Sequence, residues 1–150
     1  MMMAEIMVRE ATPTDVVQLC DLNLTALGYE FSLDSTAERI AYVLKKPGNK
    51  IFVAEYDGIV AGYLHAEDYD TLYCEPLKNI LGLAVSGAYR RCGIGRTLIN
   101  ACEEWAAATG AAGVRLTSGM SRTGAHKFYE ACGYVSWKDS KNFFKFIVGE

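Results

Sequence analysis

Three arginines, Arg90, Arg91 and Arg96, stand within seven residues of one another, with Gly93 and Gly95 among them. An apolar run, Asn79-Ile-Leu-Gly-Leu-Ala-Val85, leads into this stretch. After it Ile94, Leu98, Ala101, Cys102, Trp105 and Thr109 recur every three or four residues. That spacing puts apolar side chains on one helical stripe, so the whole reads as a strand, a basic glycine turn and an amphipathic helix. The first N–H groups of a helix lack intrahelical acceptors, and the peptide dipoles leave partial positive charge there. With guanidinium groups beside it, in a chain whose net charge is −3, such a turn concentrates positive potential. It suits a polyanionic small ligand, most simply a pyrophosphate.

Two common phosphate loops do not fit these letters. A Walker loop needs Gly-Lys-Ser/Thr, and Gly95 is followed by Arg96-Thr97. A dinucleotide fingerprint would want glycine where Leu98 stands and an acid where Leu116-Thr117-Ser118 stand. A second cluster is acidic: Glu67, Asp68, Asp70 and Glu75, with Tyr69 and Tyr73 among them. These residues read either as a solvated loop or as groups that attract a cationic amine. In the second case Glu67, Asp68 or Glu75, directly or through water, accepts the amine's proton. An alkyl amine of pKa ~10.4 is nucleophilic in only about one molecule in a thousand at neutral pH, so such a group or a desolvating pocket is needed. His65 titrates in the right range, but a strand histidine is more often structural.

The hexapeptide from Arg90 to Gly95 resembles the Gln/Arg-x-x-Gly-x-Gly/Ala signature of the GNAT family of N-acetyltransferases. Ala125, Phe128, Tyr129, Gly133 and Tyr134 match, in order and spacing, the family's later pattern Ala-x-x-Phe/Leu-Tyr-x-x-x-Gly-Phe/Tyr. The resemblance implies an acetyl-coenzyme A-dependent N-acetyltransferase that moves an acetyl group directly to the primary amine of a small molecule, peptide or protein. It implies that Leu83, Ala84 and Val85 offer main-chain groups to the pantetheine arm. The loop of Arg90, Arg91, Cys92, Gly93, Ile94, Gly95 and Arg96 would bind pyrophosphate, and Tyr129 would be the general acid for the departing thiolate. Where the family often has asparagine this chain has Arg122, whose cation would reach a phosphate or the acceptor. The connector holding Tyr29, Glu30 and Phe31 commonly borders the acceptor site in the family, and packing is the other reading of its aromatics; Asp70 and Tyr73 join it as acceptor-side candidates. A non-catalytic acyl-coenzyme A-binding module is the alternative, although it would have no use for Tyr129. A homodimer through the C-terminal strands would follow the family pattern.

The remaining elements must position these groups. Residues 4–10 alternate Ile6 and Val8 inward against Met7 and Arg9 outward, as a strand does. Thr12-Pro13-Thr14-Asp15 announces a helix with the stripe Val16, Leu19, Cys20, Asn23, Leu24 and Leu27, ended by Gly28. Asp34 or Ser35 caps the next helix, which carries Ala37, Ile40, Ala41, Val43 and Leu44 until Pro47-Gly48-Asn49. Lys50–Tyr56 and Ile59–His65 flank Asp57-Gly58, a hairpin signal. Val114–Ser118 reads as a strand, Ser121–Tyr134 as a glycine-closed helix, and residues 134–148 as a closing hairpin. The order suits α/β with a mixed sheet, and the resemblance implies a mostly antiparallel one flanked by helices, a single N-acetyltransferase domain over residues 1–150.

Composition bounds the rest. With 51% apolar and 22% charged residues the proportions are globular, and no apolar run reaches the ~20 residues of a membrane span. The opening residues show no basic segment or apolar core of a secretory signal, so a cytoplasmic location is expected. Five cysteines without a Cys-x-x-Cys pair indicate reduced thiols and neither a disulfide framework nor a metal site. A pI near 5.4 argues against nucleic acid as partner.

Overall fold

The computed structural model describes residues 5–149; Ala4, expected in the first strand, and most of the opening segment read for a signal lie outside them. Two compact units follow one another along the chain, the first running through Thr117 and the second starting at Ser118.

The first unit is built on a five-stranded sheet in the order β1 (Ile6–Glu10), β2 (Asn49–Tyr56), β3 (Ile59–Tyr69), β4 (Leu77–Val85), β5 (Gly113–Leu116). The first three pairings are antiparallel and β4 with β5 is parallel. This is the mixed, mostly antiparallel α/β arrangement expected. Asp57 and Gly58 take φ of 49° and 82° at the β2–β3 hairpin, the left-handed pair that a tight two-residue turn requires. β3 runs four residues beyond His65, so Glu67 and Asp68 belong to a strand and not to the irregular segment expected from Glu67 to Pro76.

Alternation along the strands assigns the two sheet faces. Ile51, Val53 and Ala84 form one core with Leu19 and Leu22 of α1 (Val16–Leu27) and Ile40 of α2 (Leu33–Lys45). Leu24, expected on the buried stripe of α1, is 51% exposed, and Leu22 takes its place. The start of α2 is capped by Ser32, whose Oγ accepts from the Ser35 N–H at 3.0 Å, two residues ahead of the expected Asp34. On the other face Phe52 meets Trp105 of α3 (Ile94–Ala108) edge to face at 6.2 Å. Ile94, Leu98, Ile99 and Cys102 of α3 are almost fully buried. Burial pushes the Cys102 thiol up to about 11, an inert core residue. All five cysteines are free.

Arg9 does not point away from the structure as its place in the alternation suggested. Its guanidinium donates to Asp15 at 2.8 and 2.9 Å and to Glu55 at 2.9 Å. Asp15 also accepts from the Thr12 N–H at 2.8 Å, which fixes the short 3₁₀ turn Pro13–Asp15 that opens α1. Arg9 thereby ties β1 to β2 and to the first helix.

The second unit contains α4 (Thr123–Ala131), closed by Gly133 at φ 94°. The closing hairpin expected over residues 134–148 does not form, and no strand follows α4 among the described residues. Alternation supplies a strand's faces but not its hydrogen-bonding neighbour, and Trp137, Phe143 and Ile147 are 88%, 91% and 87% exposed. No helix among the described residues is long and apolar enough to cross a membrane.

Two stability predictions follow from these contacts. A Cβ on Gly62 would lie 2.7 Å from the Ala84 carbonyl and 3.0 Å from Ile94. Gly62→Ala should cost about 1–3 kcal/mol by overpacking, measured by urea unfolding; unchanged stability would mean that α3 can move off the sheet freely. Arg9 holds the Asp15 carboxyl below the usual carboxylate range. The folded state therefore favours its ionised form, and the stabilisation is full at neutral pH and lost as pH falls through that range. Asp15→Asn should cost about 1 kcal/mol at pH 7, given the partly exposed Arg9. The gap from wild type should close below pH ~4, and a gap independent of pH would refute the ion-pair account.

Candidate active site

The two edges of β4, the strand that leads into the basic loop, differ. On the β3 side its register shifts between His65 and Ala66: His65 faces Gly82 and Ala66 faces Ile80, so Leu81 is the extra residue of a bulge. On the β5 side pairing runs only from Leu77 with Gly113 to Ile80 with Leu116. Past that point Leu83, Ala84 and Val85 have no β5 partner, and their outward main-chain groups form a sheet edge. The family resemblance implies that these three residues hold a ligand's extended arm, and an open strand edge is a surface with which an extended arm can pair.

The basic loop follows directly. Ser86 caps a 3₁₀ turn, Gly87–Tyr89, accepting from the Ala88 N–H at 3.3 Å. Arg91 takes φ 64° and Gly93 φ 86°, so two left-handed residues turn the chain into α3. The first helical bond runs from the Thr97 N–H to the Gly93 carbonyl at 3.0 Å. The amides of Ile94, Gly95 and Arg96 therefore precede any intrahelical acceptor, at the positive end of the α3 dipole. Arg90 and Arg91 lie exposed at this end, with Cys92 half-buried between them and the glycine. Ile94 is not a surface contact: at 1% exposure its side chain anchors the helix, and only its amide faces outward chemistry.

The acidic candidates separate by face. Glu67 shares the face of Tyr63 and Ala84, where its Oε2 accepts from Asn79 Nδ2 at 3.0 Å. Asp68 points to the α3 face, in an ion pair with Lys78. Lys78 is 5% exposed and its ammonium lies 3.9 Å from the centre of the Trp105 ring, so the carboxylate and the ring's electrons together accommodate the buried charge. Asp68 and Asp70 line a cavity of about 430 Å³ with Lys78 and Trp105. Glu75 is exposed in the β3–β4 connection, and Tyr73 there is 82% exposed.

The acceptor-side residues of the α1–α2 connector also divide. Glu30 and Phe31 line a cavity of about 240 Å³ with Asp21, Leu24 and Leu33. Tyr29 instead lies near Tyr63, whose hydroxyl hydrogen-bonds Asn23 Oδ1. Burial, with Tyr29 adding to it, pushes the Tyr63 phenol up to about 12. That hydroxyl would be 3.5 Å from a Cβ on Gly82, so the bulge stays open beside it because Gly82 has no side chain. His65 bonds Asn49 Oδ1 at 2.9 Å and burial lowers its pKa, in keeping with the structural reading.

In the second unit Tyr129 packs against Phe128 and Tyr134 with ring centres 5.3 and 6.1 Å apart. Burial raises its phenol above the ordinary value, with Arg122 opposing, so it is a neutral proton donor at physiological pH. Arg122 precedes the first residue of α4. Ser118 Oγ is buried without a hydrogen-bond partner among the described residues. Sequence reasoning missed Tyr63, Gly82, Asn79 and Arg115, which the strand register brings to one face; two-residue alternation was the available signal, but not which strands pair. No group of three or more potential metal ligands occurs among the described residues.

A profile of the acetyltransferase (GNAT) family matches residues 16–134. No curated protein sequence matches the chain. Among solved structures, a putative acetyltransferase from Agrobacterium tumefaciens superposes with TM-score 0.82 at 27% identity, covering 93% of this chain and 99% of its own. The aminoglycoside 6'-N-acetyltransferase AAC(6')-Ih of Acinetobacter baumannii superposes at 0.83 with 17% identity, over 95% of this chain and 99% of its own. The enzyme AAC(6')-Iy, solved with a coenzyme A bisubstrate analogue, gives 0.83 at 18% identity, with the same coverage. The chain belongs to the acetyltransferase (GNAT) family.

Proposed function

We propose that residues 1–150 act as one N-acetyltransferase domain that acetylates a primary amine of a small molecule by direct transfer. The family match crosses the junction at Thr117–Ser118, which supports a single functional domain. The observation that carries the site is the open edge of Leu83–Val85 ending at a helix entry with three arginines. Acetyl-coenzyme A would supply the activated acyl group as a thioester. Main-chain groups of Leu83, Ala84 and Val85 would hold its pantetheine arm as an added strand. Amides 94–96 and the cations of Arg90, Arg91 and Arg96 would hold its pyrophosphate, with Arg122 as a further cation.

Transfer to an amine needs a neutral nucleophile beside the carbonyl and a proton for the leaving sulfur. Glu67 is the acidic candidate best placed to take the amine proton, because it shares a face with Gly82 and the bulge while Asp68 is turned to α3. At ~3.3 Å of rise per residue, Asn79 opposite Glu67 lies about 7–10 Å along β4 from the bulge. That span leaves room for an amine or an amine and a water. Tyr129 would give the proton to the thiolate, which its raised phenol can do from the neutral form. Similarity to enzymes that act on aminoglycosides favours a small-molecule amine, and Glu30 and Asp21 beside Phe31 would suit its cationic groups.

Gly93→Asp places a carboxylate at the phosphate cradle in a backbone conformation that aspartate tolerates better than most residues. Its affinity for coenzyme A, measured by calorimetry, should fall about 100-fold or more. Unchanged affinity in a folded variant would remove the loop assignment. Tyr129→Phe should lower kcat about 100-fold and leave coenzyme affinity intact; equal turnover would show that another donor protonates the sulfur.

A further inference from the structure

Three polar side chains occupy a single rung across the sheet. Glu67 of β3 faces Asn79 of β4, and Asn79 faces Arg115 of β5. Their side chains share one face and bond in series: Arg115 Nη1 donates to Asn79 Oδ1 at 2.7 Å, and Asn79 Nδ2 donates to Glu67 Oε2 at 3.0 Å. The ends determine the middle. A guanidinium can only donate and a carboxylate can only accept, so the Asn79 amide has one satisfied orientation. Asn79 is 9% exposed, and a flipped amide there would set oxygen against carboxylate and N–H against guanidinium. Arg115 is itself fixed from above by Tyr69, with its guanidinium carbon 4.3 Å from the ring centre.

The place of this rung gives it a consequence. It is the last but one before β4 and β5 part, since Ile80 with Leu116 is the final pair. It also lies two residues before the bulge at Leu81. We infer that Arg115, acting through Asn79, is a positioning residue for N-acetyl transfer: it locks the amide that aims the Glu67 carboxylate at the fork. The inference rests on the reading of Glu67 as the acceptor of the amine's proton. A bare glutamate on a strand rotates among several rotamers. A buried amide that holds one oxygen restricts those rotamers and leaves the other oxygen to accept a proton.

The test is a double-mutant cycle on amine-dependent thiol release from acetyl-coenzyme A, with coenzyme affinity measured in parallel. Glu67→Gln should lower kcat about 100-fold. Arg115→Met keeps the stem that packs on Tyr69 and removes the donor. It should lower kcat about tenfold, the loss expected when a charged hydrogen-bond donor is deleted, without changing coenzyme affinity. In the Glu67→Gln background Arg115→Met should add less than about twofold, because its effect passes through the missing carboxylate. Full additivity, or an Arg115→Met variant as fast as wild type while Glu67→Gln is slow, would overturn the positioning role and leave Glu67 as the base. Unchanged turnover in Glu67→Gln would instead overturn the reading of Glu67, and the role of Arg115 with it. The side-chain amide of Asn79 gives a readout apart from activity. Its protons, followed by nitrogen-edited NMR, should be protected from exchange in wild type and lose that protection in Arg115→Met; protection retained in the variant would also overturn the inference.

Discussion

The parting of two parallel strands is the constraint on which the site depends. β4 and β5 hold together from Leu77 to Ile80, and from Leu81 onward β4 runs without β5. A sheet edge buried on both faces by helices would ordinarily be costly, because main-chain donors and acceptors would be left without partners. In the proposed function an extended ligand arm would satisfy that edge. The pairing with β3 shifts at the Leu81 bulge, a Cβ on Gly82 would touch the Tyr63 hydroxyl at 3.5 Å, and Gly62 lets Ile94 and Leu98 of α3 approach the sheet closely. That close approach fixes the helix N-terminus at the end of the open edge. In the proposed function the acyl-carrying arm and the phosphates would meet one continuous length of backbone, from a strand edge to a helix entry.

Electrostatics divides the same sheet into two functional sides. Toward α3, the buried Lys78 is matched by Asp68 and by the face of Trp105. Toward α1 and α2, the polar groups run in a band from Asn23 and Tyr63 to Glu67, Asn79 and Arg115. One face therefore spends its charge on stability, and the other presents oriented groups beside the fork. Neighbouring residues of β3, Glu67 and Asp68, end up with unrelated partners, Asn79 and Lys78, because a strand sends successive side chains to opposite faces.

Much of this was legible in the letters. The helical stripe beginning at Ile94, the glycines of the basic loop, the Asp57-Gly58 hairpin and the glycine stops after α1 and α4 all followed from local rules, because each is a local conformational demand. Pairing between strands not joined by a tight turn was not legible. The sequence around Glu67 reads as an irregular acidic loop, since nothing in it reveals that Asn79 and Lys78 stand opposite to satisfy those carboxylates. Asn79 and Arg115 carried no signal for the same reason: they lie 36 residues apart and meet only through the parallel register. The tail failed in the opposite direction. Its alternation from Tyr134 to Val148 has the period of a hairpin, but period does not supply a partner strand, and no strand forms there among the described residues.

One backbone path, the edge of Leu83–Val85 and the entry to α3, would hold the acetyl donor in the proposed function. Amide hydrogen exchange with and without acetyl-coenzyme A tests it most directly, because the groups said to bind are the exchanging groups themselves. Slowed exchange is predicted at Leu83, Ala84 and Val85 and at Ile94, Gly95 and Arg96, with little change along β1 and β2. Binding that protected other segments and left both stretches exchanging as before would contradict it.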